Sequence, residues 1–294
     1  MLLWFSGWLG HCLLFGPKGF FHLRGHESRL RCQQEMRRYV MVLTDHEINK
    51  YKTDGYIVPD YRVPSEILDS IDAKTDSFIA KNPQFRDNCS ALLRQDISFA
   101  NFCFAPGILD MASQLIGSDI ALWNMSLFGK PANDGKATPW HQDGEYWPIR
   151  PPATCTVWMA IDDATADNGC LRFIPGSHKN RTLRQHRINS DPDLTLNQEL
   201  LPNEYSEEEA IDLILNAGQI SLHDIYMIHG SMENRSPQSR RGMTLRYMPT
   251  TSTFDRDLAS RQASEKGLLN HTERTLFLMR GNDLSGKNDF RIRR

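Results

Sequence analysis

Between Ile120 and Met248 the chain breaks into six short apolar or alternating segments: Ile120–Phe128, Cys155–Ile161, Leu171–Ile174, Ile220–Leu222, Tyr226–Ile228 and Met243–Met248. Gly, Pro, Asn and Asp bound most of them, which is how strands joined by turns are written. Helical patterns come earlier. Residues 44–55 start at Thr44, a plausible N-cap with Glu47 three residues on, and stop at Gly55 ahead of a short strand, Tyr56–Val58. Ile67–Ile79 carries Ile67, Leu68, Ile71, Phe78 and Ile79 at helical spacing, and Ile108–Ile116 is stopped by Gly117. Helices first and strands later predict a mainly β chain, an antiparallel barrel or sandwich flanked by helices.

Length and composition narrow the class without naming it. A chain of 294 residues suffices for one large β domain. Its 40% hydrophobic and 24% charged residues allow a full core. A net charge of −2 offers no basic surface for nucleic acid. The six cysteines, Cys12, Cys32, Cys89, Cys103, Cys155 and Cys170, form no CxxC pair, which argues against a zinc knuckle or disulfide framework and fits a reducing, cytoplasmic setting. Residues 1–21 are apolar but interrupted by Gly7, Gly10, His11 and Pro17, so no membrane span is expected. Residues 1–40 read as an extension outside the fold and 41–294 as a single domain. The polar stretch 179–216, with a helical piece near Glu207–Leu215, reads as a lid-like insertion.

The chemistry concentrates in Pro139–Pro148, the run Pro-Trp-His-Gln-Asp-Gly-Glu-Tyr-Trp-Pro. On a strand, residues i and i+2 share a face, so His141 and Asp143 point together and Gln142 points away. A second imidazole is available far along the chain, in Ile228-His229-Gly230-Ser231. Two histidines and one carboxylate suit Fe(II) and leave coordination positions open for oxygen and a chelating co-substrate. HxD alone is common by chance; Arg240, eleven residues after His229 and opening a strand, sharpens it. An inward Arg offers a planar fork to a carboxylate, and because Arg241 is adjacent only one of the two can face inward. Asn168-Gly169 and Pro175-Gly176 read as turns, His178 as a rim turn residue rather than a ligand, and His223-Asp224 as a hairpin before the His229 strand.

The blocks WHQDGEYW (Trp140–Trp147), TVWMAIDDATADNGCLRFIPGSHK (Thr156–Lys179) and HGSMENRSPQSRR (His229–Arg241), with TLRY after the last, resemble the phytanoyl-CoA dioxygenase family in order and spacing, from about Leu43 to about Met248. The resemblance implies a double-stranded β-helix (jelly roll, cupin-like) and an Fe(II)- and 2-oxoglutarate-dependent dioxygenase that uses O2, with ascorbate supportive. It implies His141, Asp143 and His229 as metal ligands, with no further catalytic residue. Arg240 would hold the distal carboxylate of 2-oxoglutarate, with Trp158, Ser231 and Ser126 lining that co-substrate. Asp143 favours hydroxylation over halogenation, where a small residue replaces the carboxylate. Tyr146, Trp147, Arg150 and Arg246, with Arg94 and Lys130 further off, are candidates to line a small-molecule substrate. A small polar one is expected (amino acid, osmolyte or aminoalkylphosphonate), with Arg150 or Arg246 gripping an acidic group. An acyl-CoA or lipid hydroxylase is the alternative within the family. A non-catalytic cupin-like protein and a zinc hydrolase are rivals outside it, though the second lacks an evident general base.

Overall fold

The computed structural model describes residues 43–290, together with the backbone of strands Cys12–Gly16, Gly19–Leu23 and Ile292–Arg293. The first two strands pair as an antiparallel hairpin; the rest of the expected extension, with Cys32, lies outside the described residues. Helix α1 (Asp45–Asp54) begins in a capping box: Thr44 Oγ1 accepts from the Glu47 amide, and the Glu47 carboxylate accepts from the Thr44 amide at 2.7 Å. It ends on Gly55 at φ 84°, where a side chain would collide with Met227 and His178. Strand β1 (Tyr56–Ile57) follows, then helices α2 (Ser65–Lys81) and α3 (Ile108–Ile116).

The strands then arrive: β2 (Ile120–Lys130), β3 (Thr138–Gln142), β4 (Cys155–Ala160), β5 (Leu171–Phe173), β6 (Ile211–Leu213), β7 (Ile220–Asp224), β8 (Ile228–Ser231), β9 (Arg240–Pro249) and, after helix α4 (Arg256–Lys266), β10 (Phe277–Arg280). The larger sheet runs Ile292–Arg293, β10, β2, β9, β4, β7, β1, with Asn88–Cys89 also pairing β2; the smaller runs β6, β5, β8, β3. This is a double-stranded β-helix with helices packed on one side, the mainly β architecture that the order of segments implies.

Period-two alternation decides what each face of β9 does. Met243, Leu245 and Tyr247 are fully buried in one core with Ile71 and Phe78 of α2, Ile108 and Met111 of α3, and Leu122 and Val157 of the neighbouring strands. Tyr247 anchors that face by donating from its hydroxyl to the Cys103 carbonyl at 2.9 Å. Arg240, Thr244 and Arg246 therefore project to the opposite face, between the sheets. Arg241 turns outward and ion-pairs with Asp162, Asp72 and Asp76. Gly242 stands between two inward positions because a Cβ there would lie 2.2 Å from the Trp158 ring.

Two expectations need correction. Glu207–Leu215 is not helical: a single 3-10 turn, Glu207–Glu209, leads into β6, where Ile211 and Leu213 pair with Phe173 and Leu171. The acidic run supplies no buried face for a helix, whereas the alternation at 211–213 buries Leu213 at the sheet edge. Asp143 also lies beyond its strand, opening a 3-10 turn, Asp143–Glu145, directly after β3. Cys89, Cys103, Cys155 and Cys170 are all buried. Among the described residues no helix is long and apolar enough to cross a membrane.

Replacing Leu245 with Ala removes a fully buried side chain between the larger sheet and its helices and should cost about 2–5 kcal/mol in denaturant unfolding. A loss well under about 1 kcal/mol would contradict this packing.

Candidate metal centre and its cavity

Strands β3 and β8 lie antiparallel with His141 directly opposite His229. A cross-strand pair on one face brings side chains within contact distance, and the two rings sit 4.1 Å apart between centroids. Each ring turns Nδ1 to a carbonyl two residues back in sequence, His141 to Pro139 at 2.8 Å and His229 to Met227 at 3.0 Å. Nδ1 donates in both, so both Nε2 lone pairs are free to face a common point. The turn after β3 folds back, with the Gly144 amide donating to Ile225 at 3.1 Å, and carries Asp143 to within 3.6 Å of His141 Nε2. The ligand atoms of His141, Asp143 and His229 all lie within 4.8 Å of one another, and all three residues are buried. Gln142 points away and ties β3 to the following insertion, accepting from the Arg184 amide at 2.8 Å.

The electrostatics suit a cation. Burial opposes ionisation of Asp143, but the imidazoles of His141 and His223, with the nearby His229 and Arg246, outweigh it and hold its carboxyl well below the usual range. Burial, reinforced by His141, pushes His229 well below its ordinary pKa, so it is neutral and able to donate a lone pair. The Tyr146 hydroxyl donates to Asp143 Oδ1 at 2.8 Å and fixes the carboxylate's orientation. Two imidazole nitrogens and one carboxylate, oriented by carbonyls and a phenol, are donors that fit a six-coordinate first-row metal with positions to spare.

The centre opens into a cavity of about 480 Å³ between the sheets. Beside the candidate ligands its wall includes Trp158, Ser231, Tyr146 and Trp147, with Arg240 and Arg246 six positions apart along β9. Arg240 is buried, and its Nε and Nη2 both donate to the Gly169 carbonyl, at 3.1 and 2.7 Å. Among the described residues no carboxylate lies within ion-pair distance of it, and burial lowers its pKa to about 10, so it remains a cation at neutral pH. Its guanidinium stacks on Trp158, 5.5 Å from the ring centroid. Ser231 Oγ, Thr156 Oγ1 and Thr244 Oγ1 are buried in the lining without a hydrogen-bond partner among the described residues, and His223 makes no hydrogen bond there although its Nε2 lies 3.8 Å from Asp143. Each unpaired group costs about 1–3 kcal/mol, so the wall is built for a polar guest.

Not every sequence candidate lines this space. Arg150 does not: it donates to the Trp147 and Ile149 carbonyls, at 3.1 and 2.7 Å, because its two-residue strand Ile149–Arg150 turns it toward its own backbone. Ser126 is fully buried behind the lining, where it accepts from Arg246 and donates to the Ser90 carbonyl at 3.2 Å. Arg94 is exposed on a short helical turn, and Lys130 is buried against the Lys136 carbonyl rather than in the lining. Trp147 is 2% exposed and packs edge-on against Trp123 at 4.7 Å, so it is core and wall at once. His178 stays out of the centre, its Nε2 bonded to the Lys52 carbonyl at 3.1 Å.

His223 is the converse: it lies on β7 and points inward, its Nε2 3.8 Å from Asp143 and its ring centroid 5.0 Å from His229. The period-two pattern of β7 could have placed it there, as that of β4 could have placed Thr156 beside Trp158. Asn124, His271 and the segment Asn189–Gln198 also line the cavity. The segment is fastened by the Thr195 amide to the Ala137 carbonyl at 2.9 Å and by a Thr138–Thr195 hydroxyl pair at 2.8 Å. It lies within the polar stretch 179–216 that reads as a lid-like insertion, but an irregular loop with no periodicity does not say which of its residues face the cavity.

Comparisons with known proteins bear on the same residues. The sequence profile of the family described as phytanoyl-CoA dioxygenase (PhyH) matches residues 33–242. Phytanoyl-CoA dioxygenase 1 from Oryza sativa is 33% identical over 162 residues, 54% of this chain and 56% of that protein. The peroxisomal phytanoyl-CoA dioxygenase of Homo sapiens is 28% identical over 159 residues, 52% of this chain and 47% of that one. The chain thus spans about half the length of these relatives. Among solved structures, the non-haem monooxygenase ThoJ in its apo form superposes with a TM-score of 0.64 at 25% identity, covering 83% of this chain and 88% of its own. CytC3 superposes with a TM-score of 0.59 at 22% identity over 85% and 93%, a likeness of fold.

Removing the Asp143 carboxylate should weaken Co(II) or Ni(II) binding, read by calorimetry, by more than about 100-fold, and Tyr146→Phe, which removes only its orienting partner, by about 10-fold. Unchanged affinity in both variants would place the metal elsewhere.

Proposed function

The chain belongs to the phytanoyl-CoA dioxygenase family, and from that premise we propose that it is an Fe(II)- and 2-oxoglutarate-dependent dioxygenase that hydroxylates an unactivated C–H bond of a small polar molecule. One observation carries the reading: His141, Asp143 and His229 converge in the same cavity as Arg240, a buried guanidinium without a carboxylate partner among the described residues. The bound iron and 2-oxoglutarate would supply the oxidising chemistry, with succinate and carbon dioxide released and O2 consumed.

The residues of the chain do the rest. His141, Asp143 and His229 would hold the metal, leaving one side of it to the cavity. Arg240 would pair with the distal carboxylate of 2-oxoglutarate, Trp158 would bound that carboxylate's space, and Ser231, whose hydroxyl lacks a partner, would donate to it. None of these groups has to carry a proton through the reaction. Their work is orientation and exclusion of water, strengthened by burial. Residues 179–216 act in this reading as a cover, since Asn189–Gln198 line the cavity and fasten to β3. We take 41–294 as the catalytic unit; a chain begun at Met41 that binds metal as the full chain does supports that boundary.

A cavity of about 480 Å³ favours a small substrate over a whole acyl-CoA. The names of the rice and human relatives favour the second reading, an acyl-CoA or lipid-like substrate, for which only the acyl end would enter. Ascorbate would be supportive. Buried cysteines that form no CxxC pair fit a reducing compartment, for which we propose the cytoplasm; fractionation decides between that and the peroxisome of the human relative's name.

A panel of amino acids, betaines, aminoalkylphosphonates and acyl-CoAs, scored by substrate-dependent succinate release with Fe(II), should show turnover with a small polar member. Asp143→Ala should abolish it. Arg240→Ala should chiefly raise the KM for 2-oxoglutarate, by about 10–100-fold, the loss of one charge-assisted hydrogen-bonded pair. Turnover with acyl-CoA alone overturns the substrate class, and activity with Zn(II) in place of Fe(II) overturns the reaction.

A further inference from the structure

Arg246 lines the cavity six positions along β9 from Arg240, Arg274 reaches the same wall through Asn124 and His271, and neither has a carboxylate within ion-pair distance among the described residues. Arg246 sits on the inward face of β9 and is 6% exposed. Its guanidinium covers the Trp147 ring at 4.9 Å and flanks Phe128 at 5.7 Å. One arm donates to Ser126 Oγ, while Nε is buried with no acceptor at all. Arg274 arrives from the irregular chain between α4 and β10. It donates to Asn124 Oδ1 and to the Ser90 carbonyl, each at 3.0 Å, and to His271 Nδ1 at 3.1 Å. Asn124 and His271 then complete the wall beside Arg246. Burial, with the charges of Arg274 and Arg246, drives His271 down to about 3, so this imidazole is neutral and adds no third positive charge.

Charge accounting makes the point sharper. With iron and 2-oxoglutarate bound, two charges on the metal and one on Arg240 offset one on Asp143 and two on the co-substrate. Asp143, the carboxylate whose charge favours the Arg246 cation, would then be committed to the metal. Two guanidiniums are left buried and unbalanced, and buried charge is tolerated where it is paired. A planar fork with a free N–H, floored by an aromatic ring and flanked by an amide and an imidazole, is what an oxyanion needs.

We propose that Arg246, backed by Arg274 and flanked by Asn124 and His271, binds an anionic head group of the substrate, which is therefore a small free carboxylate or phosphonate rather than its ester, amide or thioester. The inference rests on the assignment of Arg240 to the co-substrate given above, and it adds a second anion site. The target carbon lies between this head group and the metal. Arg150, the other cation that the sequence offered for this task, is occupied by backbone carbonyls outside the lining.

The test is equilibrium binding to the full chain loaded with Ni(II) and saturating 2-oxoglutarate, so that the Arg240 site is filled. The probes are isobutyrate and methylphosphonate, against their uncharged counterparts isobutyramide and dimethyl methylphosphonate, read by calorimetry and tryptophan fluorescence. At least one anion should bind about 10-fold or more tightly than its neutral counterpart, and which one does so distinguishes a carboxylate from a phosphonate substrate. Arg246→Met should erase that preference, and Arg246→Lys should keep part of it. Equal binding of charged and neutral probes overturns the proposal, and that comparison needs only the wild-type chain. Unchanged anion affinity in Arg246→Met overturns it too. If anions fail to bind while 2-oxoglutarate still binds, only this inference falls; if 2-oxoglutarate fails to bind while the anion preference holds, the reading of Arg240 falls instead.

Discussion

The cross-strand register that sets His141 opposite His229 is the constraint on which the rest depends. It is a backbone fact: the two residues are 88 positions apart in sequence, and only the antiparallel pairing of β3 with β8 brings their rings to 4.1 Å. A one-residue slip of either strand would turn its imidazole out of the cavity and break the pair. The flanking partners guard against it. Gln142, on the other face of β3, is fully buried and bonded to the Tyr226 carbonyl at 2.7 Å and the Thr182 carbonyl at 3.1 Å. Gly230, between His229 and Ser231, lets the strands close, since a Cβ there would lie 3.0 Å from the Thr138 carbonyl.

Around that pair the molecule divides its labour by sheet. The smaller sheet and the turn after β3 carry His141, Asp143 and His229, while β9 of the larger sheet carries Arg240 and Arg246. On β9 alone, Arg240, Thr244 and Arg246 line the cavity and Met243, Leu245 and Tyr247 fix the strand against the helices. A rigid hydrophobic side thus holds a charged side in place, and this is how the two buried guanidiniums of β9 are kept pointed at a guest. The unsatisfied hydroxyls of Ser231, Thr156 and Thr244 belong to the same logic: they are costly when the cavity holds nothing polar and useful when it does.

Much of this was legible in the residues. The order of apolar segments carried the mainly β architecture, and the i, i+2 rule placed His141 with Asp143 and chose between Arg240 and Arg241. The rule reached the right outcome at Asp143 for a partly different reason, because the carboxylate is delivered by a 3-10 turn that folds back toward Ile225. His223 was passed over because Leu-His-Asp also reads as a turn; its strand pairs with β4 on one side and β1 on the other, and that pairing lies in tertiary structure. His271 and Arg274 could not have been found. They come from a segment between α4 and β10 without periodicity, and only the return of the chain to β2 brings them to Asn124.

The measurement that bears most directly on the centre is anaerobic addition of Fe(II) and then 2-oxoglutarate to the full chain, followed by visible absorption. Chelation of iron by the keto-acid produces a metal-to-ligand charge-transfer band. The wild type should develop this band with one equivalent of each, and a His229→Ala chain should not. A chain that binds both components without the band, or that shows it equally after His229→Ala, contradicts the assignment of His141, Asp143 and His229 to one metal.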